Sequence, residues 1–381
     1  MRTDKNITLL NGEGQAQKNL KILALVPDAF GGHGGIALYN RDLLKALCEN
    51  PGCKEVVAIP RLMPFKAEAM PPKLTYLTNG LNSKFKYIKT TLDTIRKKAP
   101  FDLIVCGHIN LLPLAYMAKR ILGVPLILEI YGIDAWQPTK SRLSNFLIKH
   151  IDAFIAISNF TKNRFLEWAK IGSAKGFLLP NAIDLSRYGT GPKTPALLDR
   201  YGLHDKTILM TLGRLVSHDR YKGFDEVIEL MPDLIKKVPG IIYIIAGDGD
   251  DRSRLEKKVR SLGITERVIF TGRIPEEEKA DLYRLADAYI MPSRGEGFGF
   301  VFLEAMACGI PVVASKVDGS REAVRSGELG IIVDPDNPEE IKSAILKALK
   351  QPRGIVPKGL EYFSFANFQQ RLHRIIDTLN W

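Results

Sequence analysis

The sequence predicts an α/β protein: two doubly wound, Rossmann-like domains in tandem, facing each other across a cleft. Three observations predict it. The chain has 381 residues, too many for one ordinary core and enough for two domains of about 100–200 residues each. Short apolar runs alternate with amphipathic helical patterns throughout, the rhythm of a parallel sheet layered with helices. That rhythm breaks off once, at 188–195, where two glycines and two prolines in eight residues mark a linker.

The strands of the first half are expected at 21–26, 56–59, 103–106, 126–130, 153–157 and 177–179. Each is a short, near-continuous apolar run, as a strand buried on both faces of a parallel sheet must be. Among the intervening segments, 81–98 carries Leu81, Phe85, Ile88, Leu92 and Ile95 at helical spacing and predicts an amphipathic helix. After the linker the series restarts, with strands at 208–212, 241–246, 268–270, 288–291, 312–314 and 330–333. Helical patterns at 224–237, 252–262, 276–286, 300–307 and 338–349 separate them, and a last one runs over 365–379. The expected division is a polar tail at 1–19, a first domain at 20–188, a second at 189–363 and a closing helix at 364–381. Doubly wound sheets bind ligands beyond the carboxyl ends of their strands, so two facing domains put the site in the cleft between them.

Apolar residues at 45% and charged residues at 25% are those of a soluble globular chain and exclude disordered, collagenous and fibrous classes. No apolar run approaches the ~20 residues that span a bilayer. The first nineteen residues lack the apolar core of a secretory signal. Cys48, Cys53, Cys106 and Cys308 form no CxxC pair, and the six histidines form no HExxH, so neither a disulfide framework nor a structural zinc is expected and a cytoplasmic location is.

The net charge of +12 lies wholly in the first half: residues 1–190 carry 26 Lys+Arg and 14 Asp+Glu, residues 191–381 carry 28 of each. Such a block suits nucleic acid, an anionic membrane face or a phosphorylated substrate. Its densest part is the helix at 81–98, with Lys84, Lys86, Lys89, Arg96, Lys97 and Lys98. A basic amphipathic helix can lie on an anionic leaflet; the plainer reading is a solvated helix packed on its own domain. No stacking aromatics or RNA module accompany the charge, so nucleic acid is not an expected partner.

The segment richest in chemistry is 292–304, between a strand and the helix at 300–307. Gly295, Gly297 and Gly299, with Phe298 among them, let a ligand approach the backbone, and free amides at a helix start suit a diphosphate. Glu296 on the loop and Glu304 inside the helix can accept hydrogen bonds from sugar hydroxyls, and a glutamate amid apolar neighbours is costly to bury without partners. Glu304 alone reads as helix surface; beside Glu296 and the glycines it reads as part of a site. Strand 208–212 ends in Gly213 and Arg214, and Lys222 follows after a polar loop. Two fixed cations at one strand's exit can neutralise a departing diphosphate without a metal. Gly247 closes the next strand, and Gly272, followed by Arg273, the one after.

These residues resemble glycosyltransferase family 4, retaining enzymes of the GT-B fold, from about Lys21 to Ala348. The specific part is the pair Glu296 and Glu304 with the apolar run 305–314 behind it. Gly213, Arg214, Lys222 and Gly223 are the second element, and Gly31 to Gly35, Pro180, Asn181 and Asp184 add to it. The resemblance implies that Arg214 and Lys222 hold a donor diphosphate, that Glu304 holds the nucleotide ribose and that Glu296 contacts the donor hexose. It places Gly32, Gly34 and Gly35 near the donor phosphate and the acceptor, makes His108 the histidine beside the donor sugar, and has the last helix cross back to the first domain. Three features depart from the family. Tyr131 stands where a histidine usually precedes Gly132, Ile133 and Asp134; Ala182 replaces a glycine; and the loop with His218, Asp219, Arg220 and Tyr221 is long.

The expected function is transfer of a hexose, with retention, from a nucleotide diphosphate sugar to a hydroxyl acceptor, GDP-mannose standing ahead of UDP-glucose as donor. Arg214, Lys222, Glu296 and His108 are the catalytic candidates. The donor-binding candidates are Gly32, Gly34, Gly35, Gly213, Gly247, Gly272, Arg273, Gly297, Phe298, Gly299 and Glu304. Neither a metal, nor an Asp-x-Asp motif for a metal-bridged diphosphate, nor a cofactor is expected, since the two cations do a metal's work. The basic first half would receive the acceptor, a saccharide or lipid-linked saccharide, with an anionic membrane surface as a further partner and a peripheral location on the membrane's inner face. One rival is an enzyme of the same fold that epimerises or hydrolyses nucleotide sugars. The other is a dinucleotide oxidoreductase, suggested by Gly31 to Gly35, which do not complete GxGxxG.

Overall fold

The computed structural model describes residues 19–218 and 220–379. The tail expected at 1–19 therefore lies outside the described residues except for Asn19, as do Asp219 and the last two residues of the closing helix. The first half forms a parallel sheet of β1 (Leu20–Val26), β2 (Cys53–Pro60), β3 (Leu74–Tyr76), β4 (Leu103–Cys106), β5 (Leu126–Ile130), β6 (Ala153–Ala156) and β7 (Gly176–Leu178), in the order β3-β2-β1-β4-β5-β6-β7. The second half forms another of β8 (Thr207–Leu212), β9 (Ile241–Ala246), β10 (Val268–Gly272), β11 (Ala288–Met291), β12 (Val312–Ser315) and β13 (Ile331–Val333), ordered β10-β9-β8-β11-β12-β13.

Each order turns back once, between β1 and β4 and between β8 and β11. At such a switch point the loops leaving adjacent strands diverge to opposite faces and open a crevice at the carboxyl edge. The first crevice holds the glycine loop after β1 and His108 after β4. The second holds Gly213 to Lys222 after β8 and Pro292 to Gly299 after β11. The sequence motifs thus occupy the positions where doubly wound sheets bind ligands.

The continuous apolar runs are explained by burial on both sides. Along β9, Ile242, Ile244 and Ala246 join one core while Ile241, Tyr243 and Ile245 join the other. β3 was not legible in the sequence. It is a half-buried edge strand of three residues, too short to display a period.

The closing helix, Phe365–Thr378, lies against the helix Gly35–Cys48 of the first domain. Phe368 meets Tyr39 edge-on at 5.6 Å, Gln369 donates to Glu49 at 3.0 Å, and His373 Nε2 lies 2.9 Å from the Ala46 carbonyl oxygen.

The basic helix forms where its spacing predicts one, three residues shorter at the start. It spans Lys84–Lys98, with the Ser83 hydroxyl capping the Lys86 amide, and buries Tyr87, Thr91, Thr94 and Ile95. Phe85, Ile88 and Leu92 instead face solvent, at 86%, 41% and 39% exposure. The threonine face can pack because its hydroxyls are satisfied inside the helix, Thr91 on the Tyr87 carbonyl and Thr94 on that of Thr90, while the Tyr87 hydroxyl reaches the Ile59 carbonyl on β2.

Candidate active site

A cleft of about 1140 Å³ opens between the two carboxyl edges. The first domain lines it with Asp28, Gly34, Gly35, Tyr131, Asp134 and Asn181, the second with Gly213, Arg214, Lys222, Gly247, Arg273, Glu296, Gly297, Phe298, Gly299 and Glu304. Gly32, His108 and Gly272 are not on its wall. Gly32 is packed under the Asp28 carboxylate, and Gly272 lies beneath Gly247, whose amide donates to its carbonyl at 3.0 Å. Phe65 closes the rim, with His33 tilted against it at 4.3 Å and the Arg273 guanidinium over its ring at 5.0 Å from across the cleft.

Two of the glycines are demanded by geometry. A Cβ on Gly297 would run into the Tyr131 carbonyl oxygen, because the two domains touch there. Gly299 caps the helix Phe300–Ala307 at φ 96, a left-handed conformation that glycine adopts without strain.

Lys222 and Glu296 form an ion pair at 2.9 Å, with 13% and 19% of their side chains exposed, and Arg214 lines the cleft nearby. The Glu296 loop is anchored from behind by Asp318, which the sequence reading missed. One Asp318 oxygen accepts from the Glu296 amide at 2.8 Å and the Ser293 hydroxyl at 2.7 Å, the other from the Ser320 amide and hydroxyl at 3.0 and 2.6 Å. The available signal was its place three residues beyond the end of β12, at the same edge as the other motifs.

Burial lifts the Asp318 carboxyl from its ordinary 3.8 to about 6 despite these donors. The contribution of the protonated form to stability is therefore complete below pH ~4 and lost as the pH rises through ~6, roughly 3 kcal/mol in all. Only the ionised form accepts from all four donors, so activity should move the opposite way. Turnover is expected to fall as the pH drops through 6 while the protein becomes harder to melt. Asp318→Asn should remove the activity trend and weaken the melting trend, the part due to Asp42, which burial raises to about 7, remaining; an unchanged activity trend in the variant would refute the assignment.

Glu304 is 2% exposed and accepts from three protein donors. Tyr188 and Lys279 donate to Oε1 at 2.8 and 2.6 Å, and Tyr283 to Oε2 at 2.7 Å. Burial works against the charge on Lys279, but Glu304 and Glu276 more than offset it and raise its pKa. A carboxylate has about four acceptor positions, so one on Oε2 remains for a ligand, fewer than the diol contact expected from sequence. Tyr188, Lys279 and Tyr283 were not legible because their role depends on helix packing around residue 304.

On the first-domain side, His108 Nδ1 accepts from the Asn110 amide at 3.1 Å, which leaves the proton on Nε2, 4.0 Å from Asp134 Oδ2. Burial lowers the His108 pKa, against the pull of Asp134, and keeps the ring neutral. Among the described residues Asp134 Oδ2, Asp28 Oδ1 and Asn181 Oδ1 are buried without a hydrogen-bond partner, and all three side chains belong to the cleft wall.

Residues 33–187 match the family model described as Glycosyltransferase Family 4, and residues 197–362 that described as Glycosyl transferases group 1. The chain belongs to glycosyltransferase family 4. Over 230 residues, 58% of the chain, it is 35% identical to a GDP-mannose-dependent alpha-(1-6)-phosphatidylinositol monomannoside mannosyltransferase of Mycolicibacterium smegmatis, and the match spans 59% of that protein's length. In fold it is similar to Anabaena Alr3699/HepE in complex with UDP, at TM-score 0.74 and 21% identity, covering 94% of this chain and all of that one. It is likewise similar to the sucrose-phosphate synthase of Thermosynechococcus elongatus, at TM-score 0.75 and 21% identity over 95% and 99% of the two chains. Both are two-domain GT-B neighbours, in keeping with the two parallel sheets.

The family 4 departure at Tyr131 now has a structural account. Its ring is buried, and its hydroxyl lies 2.8 Å from the Gly107 carbonyl and 2.9 Å from Asn40 Oδ1, tying β5 to β4 and to the helix Gly35–Cys48. The phenol braces the wall rather than reaching into the cleft, and His108 stands behind it, ring centroids 6.4 Å apart.

Proposed function

We propose that this family 4 chain transfers a hexose, with retention, from a nucleotide diphosphate sugar to a hydroxyl of a lipid-borne saccharide. The observation that carries the reading is the convergence of Arg214, Lys222, Glu296 and Glu304 on one cleft at the switch point of the second sheet. The bond from the anomeric carbon to the phosphate oxygen breaks as the bond to the acceptor oxygen forms on the same face, and the acceptor proton passes to the departing phosphate. No side-chain nucleophile is needed. Lys222, Arg214 and the amides around Gly297 stabilise charge on the leaving diphosphate, Glu304 holds a ribose hydroxyl, and Glu296 meets the hexose. GDP-mannose is the proposed donor, on the named specificity of the Mycolicibacterium relative.

Metal independence belongs to the same proposal. The chain does carry an Asp-x-Asp, Asp248 and Asp250, which corrects the expectation of none, but Asp250 is committed to the Ser217 amide and hydroxyl at 2.9 and 2.7 Å. The test is a thermal-shift panel with GDP, UDP, ADP and their sugars, then turnover of the stabilising sugar nucleotide in EDTA with the product's anomeric configuration read by NMR. Stabilisation by a GDP-sugar and retained configuration are expected. No response to any nucleotide would end the reading; hydrolysis without transfer to any acceptor would favour the rival hydrolase, and loss of turnover in EDTA restored by manganese would overturn metal independence.

The first domain is proposed to dock on the anionic cytoplasmic face of a membrane. No helix among the described residues is long and apolar enough to cross one. Phe85, Ile88 and Leu92 project beside Lys89 and Arg96, and the helix Arg142–Leu147 on the same side of the sheet exposes Leu143 at 57% and Phe146 at 60%. Apolar side chains that enter an interface, flanked by cations that meet anionic headgroups, are what peripheral binding requires. Phosphatidylglycerol vesicles should pellet the protein at moderate salt, and Phe85→Ser with Leu92→Ser should release it; failure of the unaltered protein to pellet would dismiss the docking.

A further inference from the structure

The second domain grips the first at a helix start, and the same short segment anchors Glu296. The helix Asn159–Ala169 follows β6, and like any helix its first amides lack partners within the helix. The amides of Asn159 and Phe160 donate to the two oxygens of Glu322 from the other domain, each at 2.8 Å, and the Asn159 side-chain amide adds a third bond at 3.1 Å. One residue earlier, the buried Ser158 hydroxyl donates to the Gly297 carbonyl oxygen at 2.7 Å while accepting from the Thr161 amide at 3.0 Å. Four residues before Glu322 stands Asp318, which accepts from the Glu296 amide, and the Gly319 amide donates to the Glu296 carbonyl at 2.8 Å.

We infer that Glu322 is a positioning residue: by capping a first-domain helix from the second domain, it ties closure of the cleft to the placement of Glu296 and Gly297 for transfer. The carboxylate suits the task because it accepts charge-assisted bonds from both amides at the positive end of a helix. These bonds exist only while the domains are together. When they part, the amides are left to water, and the backbone of the Glu296 loop loses its bond to Ser158. The relay holds the loop backbone at Glu296 and Gly297 and touches none of Arg214, Lys222 and Glu304, so separation weakens the chemical step far more than it weakens nucleotide affinity of the second domain. The activity consequence rests on the proposed function; the closure itself does not.

The experiment compares the full chain with Glu322→Ala and Glu322→Gln, the latter keeping one oxygen for the amides. Small-angle scattering without nucleotide should give a larger radius of gyration for the alanine variant and a near-native one for glutamine. With GDP-mannose, kcat of the alanine variant should fall roughly 10- to 100-fold while GDP affinity changes by less than about twofold, and glutamine should restore most of the rate. Unchanged scattering in the alanine variant would overturn the inference, as would kcat, GDP affinity and melting temperature all falling together in both variants, the mark of a merely structural role. If the unaltered protein binds no nucleotide, it is the proposed function that fails, and scattering still decides whether Glu322 holds the domains closed.

Discussion

Lys222→Ala is expected to lower the transfer rate by ~10²–10³, the loss typical of one preorganised charge contact in a water-poor site. The argument is geometric. Lys222 follows β8 and Glu296 follows β11, so the pair spans the switch point of the second sheet, with Nζ 2.9 Å from Glu296 Oε2. The ammonium is fixed before any donor arrives and needs little reorganisation as negative charge builds on the departing phosphate. Removing it also leaves a largely buried Glu296 carboxylate facing that charge, so two errors combine. Single-turnover kinetics would separate the effects: the chemical step should slow far more than donor affinity weakens. Lys222→Arg should recover only part of the rate, since a planar fork replaces a point charge. A loss below about tenfold would remove Lys222 from the charge-stabilising role.

The second large effect is on Glu304, where function and stability fall together. Glu304→Ala deletes the acceptor for Lys279, Tyr188 and Tyr283 at once. Lys279 has 13% of its side chain exposed and keeps Glu276 only at 3.4 Å. Breaking a buried pair by removing one partner typically costs 3–5 kcal/mol, far more than the pair itself adds, because an uncompensated charge stays behind. Urea unfolding should show a loss of about that size, and GDP titration should show nucleotide binding largely abolished. Glu304→Gln separates the causes, keeping shape and an acceptor while removing charge. It should fold better than the alanine variant yet bind GDP poorly. Normal GDP affinity in the glutamine variant would mean that the carboxylate's charge is not part of the nucleotide site.

Much of the architecture was legible because parallel strands declare themselves. Runs such as 241–246 are apolar at every position, and the structure places β9 there, buried against one core on each face. The edge strand β3 had no such signature. The helix Lys84–Lys98 showed its amphipathic spacing but not which face packs: the fold buries Tyr87, Thr91, Thr94 and Ile95 and leaves Phe85, Ile88 and Leu92 exposed. Periodicity reports that a helix has an apolar face and is silent on what that face meets. The site divided in the same way. Arg214, Lys222 and Glu296 could be read from chain position because each lies in a loop between a strand and the next helix, and Glu304 because it is a carboxylate amid the apolar residues of the helix that follows. His108 follows a strand too, yet its ring is not on the cleft wall and lies 4.0 Å from Asp134 Oδ2 and 6.4 Å from the Tyr131 ring.

The chain alone determined the two doubly wound halves, the loops that carry the chemistry, and which residue types fill them, since strand burial and switch-point topology follow from short-range pattern. Only the tertiary structure decided which groups serve those residues: Asp318 behind Glu296, Lys279 and two tyrosines on Glu304, and Glu322 reaching across to Asn159 and Phe160. Such partners lie 21 to 163 positions apart. Hydrogen bonding acts over about 3 Å, so no spacing along a chain can announce a bond that exists only after its sheets and helices have packed.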